Sequence, residues 1–239
     1  MHNSPWVLAY AGVLPELKGP VRRAEPGSAV LGRVSLGGQA VLERFAVLRA
    51  DGHVIHVGAE LHLGWHSTVH IAHEVYGATI GERVSVGANS VVHACTVGDD
   101  CVVQDSVSVL DGATVGHGSV IAAGSVVYPR HVLPQGQWCE GSPAVPVRPV
   151  QAPELRALHE STRAHSGAAA STATPPSHSS ITTGGGESGY VAASVVGLGE
   201  LRMGEGSSLW FGCIVEAAEL GVSIGAGSNV QDNTVLRSS

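Results

Sequence analysis

At 239 residues the chain is long enough to bury a real core, as one large domain or two small ones. Its net charge is −7 and its single lysine is Lys18, so no basic cluster is present that could track a phosphate backbone, which points away from nucleic acid as a partner. No run approaches the roughly 20 apolar residues that cross a bilayer, and the start MHNSPWVLAYAG carries neither the charged opening of a secretory signal nor an arginine-rich presequence.

Residues 1–22 form an N-terminal segment without a clear period. From residue 23 to 150 the composition takes over: 32 glycines, abundant valine and only 4% aromatic residues suit many short strands separated by tight corners. Between Val97 and Val127 an aliphatic residue recurs every six positions, at Val97, Val103, Val109, Val115, Ile121 and Val127. Six is neither a helical nor a plain strand period. It is the period of the hexapeptide repeat, in which each hexad builds one flat side of a triangular prism and about 18 residues make a coil. The aliphatic side chain points inward, and a small residue such as Ala113 or Ser125 fits four positions on. A β-sandwich with irregular strands has no reason to keep this spacing through six consecutive positions. The predicted fold is therefore an all-β solenoid, a left-handed parallel β-helix; its crossovers break the usual right-handed rule, so the assignment rests on the repeat itself.

The same step appears at Leu36, Leu42 and Leu48, at Val57, Leu63 and Val69, and at Ile80, Val86 and Val92. It is interrupted at 49–56, 70–79 and 93–96, where loops are expected. Residues 151–163 read as a short helix lying along the prism, and 164–188, small, polar and rich in Pro and Gly, as a flexible linker. From 189 to 239 the hexads restart and match the first copy without gaps at an offset of 167, with Leu36 matching Met203, Leu42 Leu209, Leu48 Val215 and Leu63 Val230. This is an internal duplication whose second copy is expected to be incomplete, about 78 residues short of the first. Cys95, Cys101, Cys139 and Cys213 are not at CxxC spacing, and a chain with a core of this size has no need of disulfide staples, so they read as reduced thiols.

Four motifs carry a resemblance to the γ-class carbonic anhydrases and to the related subunits of mitochondrial respiratory complex I. VLRAD (Val47 to Asp51) resembles the family's VLRGD; TVHIA places His70 where the family has its first zinc histidine; VGANSVVHAC resembles VGHxxxLHxC and puts His93 at the last zinc ligand; QWCEGSPA is similar to the WGGNPA ending of the mitochondrial members. The motifs span about 120 residues of the first copy and 50 of the second. The resemblance implies a trimer of homologous subunits with zinc held between neighbours, two histidines from one and the middle histidine from the next. It also implies a mitochondrial, matrix-side location, with a cytoplasmic one otherwise, and attachment to a large respiratory-chain complex. Arg49 and Asp51 would be interface ion-pair residues. Catalytic zinc takes three protein ligands and an open position, whose water then ionises near pH 7 and attacks CO2.

The departure is Ala88, which stands at the middle histidine, and a methyl group ligates nothing. Losing a second-shell partner already costs roughly 10- to 100-fold in affinity or activity, and losing a ligand costs more. Gly64 and Trp65 stand where the family has Gln-Asp; the second copy keeps that pair as Gln231 and Asp232, but has Glu216 for the arginine and Arg237 for the first histidine. The pair His70 and His93 reads either as a metal site or as the relic of one.

Other histidines have plainer readings. His117 in VGHGSV lies one coil on and reads as a corner residue; His62 and His66 read as solvated loop or face positions; His73 and Glu74, in the loop after His70, are weak proton-shuttle candidates. Three functions follow as expectations. The first is a catalytically impaired, structural γ-carbonic-anhydrase-like subunit in a homo- or heterotrimer. The second is a zinc-dependent CO2 hydratase whose third histidine comes from a partner. The third is a hexapeptide acyltransferase with His117 as general base.

Overall fold

The structure, a computed structural model, describes residues 5–169, 180–183, 189–217 and 221–238. Each hexad contributes two or three residues of strand, and each strand pairs in parallel with the strand one coil further on. One side runs Ser85, Val102, Val120, Trp138; a second runs Thr68, Val91, Ser108, Val126; a third runs Thr79, Thr96, Thr114, Val132. Three sides at this step make the left-handed parallel β-helix that the repeat predicted.

Strict register stacks the same hexad position of successive coils in a column, roughly 4.8 Å apart. The inward columns are aliphatic, and Val97, Val103, Val109, Val115, Ile121 and Val127 are at most 1% exposed, as are Leu42, Leu48, Leu63, Val69, Val86 and Val92. The corners keep the same beat: a left-handed φ recurs at Asp100, Ser106, Gly112, Gly118, Gly124 and Arg130. Small polar residues finish the interior. Ser67 Oγ donates to the Gly87 carbonyl, Ser90 Oγ to that of Gln104 and Ser119 Oγ to that of Pro134, which satisfies corner carbonyls that the ladder leaves over.

The interruption at 70–79 is a loop, closed by a bridge between Ala72 and Tyr76. The one at 49–56 is not. Val47–Val57 is a continuous 11-residue strand; Ala29–Gly32 pairs with Val47–Ala50 and Val34–Leu36 with Ile55–Val57, and a register shift between Gly32 and Val34 absorbs residues 51–54. At the other end of the prism the strands Gln137–Gly141 and Ala144–Pro149 form an antiparallel hairpin. Arg148 leaves it, lies 4.6 Å from the Trp138 ring centre, and forks onto the Glu154 carboxylate at 2.9 and 2.6 Å. That clamp sits on the first turn of helix α1 (Ala152–Ala169), where an acid is favoured. The helix packs on the strands Ser85–Val86 and Val102–Val103.

The chain divides into two compact units, Met1–Ala170 and Ser171–Ser239. The second repeats the pattern of the first: Val196–Met203 pairs with Ile214–Glu216, and that strand with Val235–Arg237, while Leu209 and Val215 are wholly buried. Of the expected linker, residues 170–179 and 184–188 lie outside the described residues; Ser180–Thr183 is a strand paired with Val196–Met203.

Because each inward residue touches the coils above and below, removing one loosens several. Leu63→Ala, at a site with no exposure, is expected to cost about 3 kcal/mol of unfolding free energy in a denaturant titration, within the range for a buried leucine.

Candidate functional site

The register that builds the core also builds the site. Arg49 stands opposite His70, and His70 opposite His93, on three consecutive coils of the 12-stranded sheet. The two imidazoles are consequently neighbours, with ring centroids 5.0 Å apart and planes at 65°. Each is held by a carboxylate. His70 Nε2 is 2.8 Å from Asp51 Oδ1, and His93 Nδ1 is 2.5 Å from Asp111 Oδ1. Asp51 also accepts from Nη1 of Arg49, a guanidinium with no exposed surface.

Burial alone would raise the Asp51 pKa, but the hydrogen bond to His70 and the charges of Arg49 and His70 outweigh it and hold this carboxyl below the usual aspartate value. Asp111 was missed in the sequence. It lies 18 residues after His93, so the coil length alone would have found it. Carboxylates on the far nitrogen of an imidazole fix its tautomer and aim the other nitrogen outward, an arrangement common behind metal-binding histidines.

Ala88 lies elsewhere on the same side of the prism. It occupies the turn before the strand Val91–His93, its N–H donating to Asp105 Oδ1 at 2.8 Å. Ala88 lies in the turn that opens the flat side and His93 is the last residue of its strand, five residues on. An imidazole at 88 would therefore stand at the other end of that side from His93. The residue stacked beside Ala88 is Trp65, as the pairing of Leu63 with Val86 dictates. Its indole N–H is buried without a hydrogen-bond partner. Gly64 fits because nothing larger does: a Cβ there would come within 2.6 Å of the Gly87 backbone. Among the described residues no three His, Cys, Asp or Glu side chains converge as a metal would require.

Comparison with known proteins now has a geometry to stand on. Residues 94–129 match the family model described as bacterial transferase hexapeptide (six repeats), and 77–110 that of the hexapeptide repeat of succinyl-transferase. Two Arabidopsis thaliana proteins, mitochondrial γ carbonic anhydrase 2 and mitochondrial γ carbonic anhydrase 1, are each 40% identical over 47 residues, 20% of this chain. The chain carries hexapeptide repeats, and over that short stretch it is similar to the γ carbonic anhydrases. The match spans only 17% of the length of each plant relative. A hexapeptide transferase family protein from Anaplasma phagocytophilum shares the fold at a TM-score of 0.59, with 27% identity, over 68% of this chain and 95% of that one.

The remaining candidates take their places on the same prism. His73 packs against the backbone of Gly52, beside Asp51. Its side chain and that of Glu74 are mostly exposed, and they approach each other at 3.9 Å. His117 is turned back onto the corner of the coil before it, where its Nδ1 accepts from the Asp99 N–H at 3.0 Å. His66 packs edge-on to Trp65 and tilted on Phe45. His62 corrects the sequence reading: it is no solvated residue but 3% exposed, on the 8-stranded sheet and away from the His70–His93 pair. In the second unit Glu216 and Arg237 occupy the register positions of Arg49 and His70 and pair directly at 2.6 Å.

Asp51→Ala leaves the buried Arg49 guanidinium without this carboxylate, a change expected to cost about 3 kcal/mol in a urea titration at pH 7. A carboxyl whose folded pKa lies below its unfolded value stabilises above that unfolded value, near 4, and stops doing so as pH falls through the folded one. The gap between wild type and D51A is therefore expected to close below about pH 4.

Proposed function

We propose that this chain is a structural γ-carbonic-anhydrase-like subunit, one that forms a trimer with homologous subunits without completing a zinc site of its own. The observation that carries this reading is the methyl group of Ala88 at the end of the flat side, with the indole of Trp65 stacked beside it. In a trimer of identical first units, each junction would offer two imidazoles and a methyl group. Two neutral nitrogens fall short of the three protein ligands of a catalytic zinc. The resemblance to the mitochondrial members supports a mitochondrial location and attachment to a respiratory-chain complex such as complex I, where the β-helix would serve as a rigid interaction surface.

A second reading rests on a specific feature. His70 and His93 are adjacent, and each is aimed by its own carboxylate, which is the outer support that metal-ligating histidines use. A partner subunit bearing a histidine at the place of Ala88 would complete three ligands. Zinc bound there would supply a hydroxide for CO2 hydration; this chain's part would be to hold two imidazoles in one tautomer each, with Asp51 and Asp111 as their acceptors. Acyl transfer has weaker support, since the Nδ1 of His117 is already engaged by the corner of the coil before it.

The purified full chain is expected to contain well under one zinc per trimer and to hydrate CO2 no faster than buffer, by elemental analysis and stopped-flow pH measurement. Ala88→His is expected to raise zinc affinity by more than 100-fold, since it restores a direct ligand and not merely an outer partner. Stoichiometric zinc with turnover in the unmodified chain alone would overturn the structural reading; zinc only in the complex isolated with its partners would favour the second.

A further inference from the structure

Away from the His70–His93 pair, three buried polar atoms without partners lie on one face: Glu43 Oε2, His62 Nε2 and His159 Nε2. Buried polar atoms left unpaired each cost free energy, and each calls for a reason. Glu43 is wholly buried, Arg23 donates to its Oε1, and His62 Nε2 lies 3.8 Å from that same oxygen. The next coil brings Ser85 into register with His62. Over this face runs α1. Its His159 places Nδ1 2.8 Å from Ser85 Oγ, and Arg163, one turn on, donates Nε to the same hydroxyl at 3.1 Å. Ser85 has no exposed surface, so these two bonds pin the helix to the prism.

The charges around the two imidazoles are of both signs. His62 faces Glu43 on its own sheet, Arg23 and the Glu25 paired with it beyond, and Arg163 from the helix; His159 faces Arg163 on its own helix and Asp100 and Arg83 from the prism corners. Burial, then Arg163 and Arg23, push His62 down to about 3. Burial and Arg163 also lower His159, against the opposing pull of Asp100. The duplicated unit acts as an internal control. At an offset of 167, Tyr190, Trp210 and Asn229 replace Arg23, Glu43 and His62, and the Trp210 N–H simply donates to Asn229 Oδ1 at 2.8 Å. The charged, histidine-bearing seat is a feature of the first unit.

We propose that α1 is a proton-sensitive strap, docked on the prism while His62 and His159 are neutral and released as they take up protons. The sign follows from linkage. A base whose docked pKa is depressed stabilises docking fully above its free value near 6.5, and that contribution is lost as pH falls below it. Release would also open the cavity of about 170 Å³ that Ser161 and Thr162 of α1 share with Gln104, Asp105 and Ala123. Asp105 is the acceptor that holds the Ala88 turn. The strap therefore reaches the corner at which a neighbouring subunit would meet this one, which gives the first unit a means of changing that corner with pH.

Hydrogen–deuterium exchange of the full chain at pH 7.5 and 5.5, corrected for the intrinsic rate, tests this. One imidazole freed to titrate near 6.5 weakens docking roughly tenfold between those values. Protection of α1 amides is therefore expected to fall at least tenfold while the strand Val196–Met203 of the second unit keeps its protection. In His62→Gln/His159→Gln the α1 protection is expected to be the same at both pH values. Should that variant fail to fold, His159→Gln alone, changed on the helix side only, is expected to show a smaller drop than wild type. Protection of α1 in wild type that does not change with pH, that falls in step with the second unit, or that falls as far in the glutamine variants, would overturn the proposal.

Discussion

The rest of the molecule depends on a parallel backbone ladder held in register by one aliphatic side chain per hexad. Because residues 97, 103, 109, 115, 121 and 127 all point to the axis and are almost wholly buried, no coil can slip by one residue without turning its core position outward. Register fixed inside is register fixed outside. The outward columns then become rows of side chains at a spacing of roughly 4.8 Å, and chemistry on the surface is decided by which residues the coil length places in one row. The contact between His70 and His93 is such a consequence, as is the meeting of Glu216 with Arg237.

This explains why so much was legible. A period of six needs only the identity of each aliphatic residue, and it named the inward residues of nearly every coil in the first unit. It also located the His70 loop, since an excess over the coil length has to leave the prism. The sequence was read less well where a residue's environment is made by something outside its own coil. The 49–56 interruption looked like a loop, yet Ala29–Leu36 lies beside it and pairs with the residues on both sides of 51–54, so the chain runs on as one strand. His62 looked solvated, yet it is 3% exposed, with Glu43 of the coil before it at 3.8 Å and α1, some hundred residues further on, packed on the next strand of its sheet. Nothing within a few residues of His62 records that, because hexad position says which way a side chain points and not what packs over it.

The flat side also limits what a single prism can do. Ala88, in the turn that opens that side, and His93, at the end of its strand, stand at opposite ends of it, so the three positions at which the family resemblance places zinc ligands are not gathered at one place on this unit. A chemistry that needs all three is a property of a junction between prisms, and each prism contributes an incomplete set at each end of its side. Loss at one end then leaves the other end intact. That is the pattern in the first unit, where His70, His93, Asp51 and Asp111 form a supported cluster while the far end holds Ala88 and Trp65. A prism so altered keeps its own fold, because inward residues and backbone carry its packing.

The second unit carries the reasoning one step further. At the register positions of Arg49 and His70 it has Glu216 and Arg237, which pair at 2.6 Å. Both copies thus retain a neutralised polar pair in this column, though the cation has moved from one coil to the next and no imidazole remains. An outward charge in a stacked row has neighbours at coil spacing above and below, and leaving it unmatched costs free energy even where water screens part of it. A metal ligand is under no such local demand from the fold: His70 can be exchanged for Arg237 provided the arginine opposite becomes a glutamate. The column therefore asks for charge balance and tolerates exchange of an imidazole for a guanidinium, which is the physical reason side chains on the outside of a β-helix can change while the prism keeps its shape.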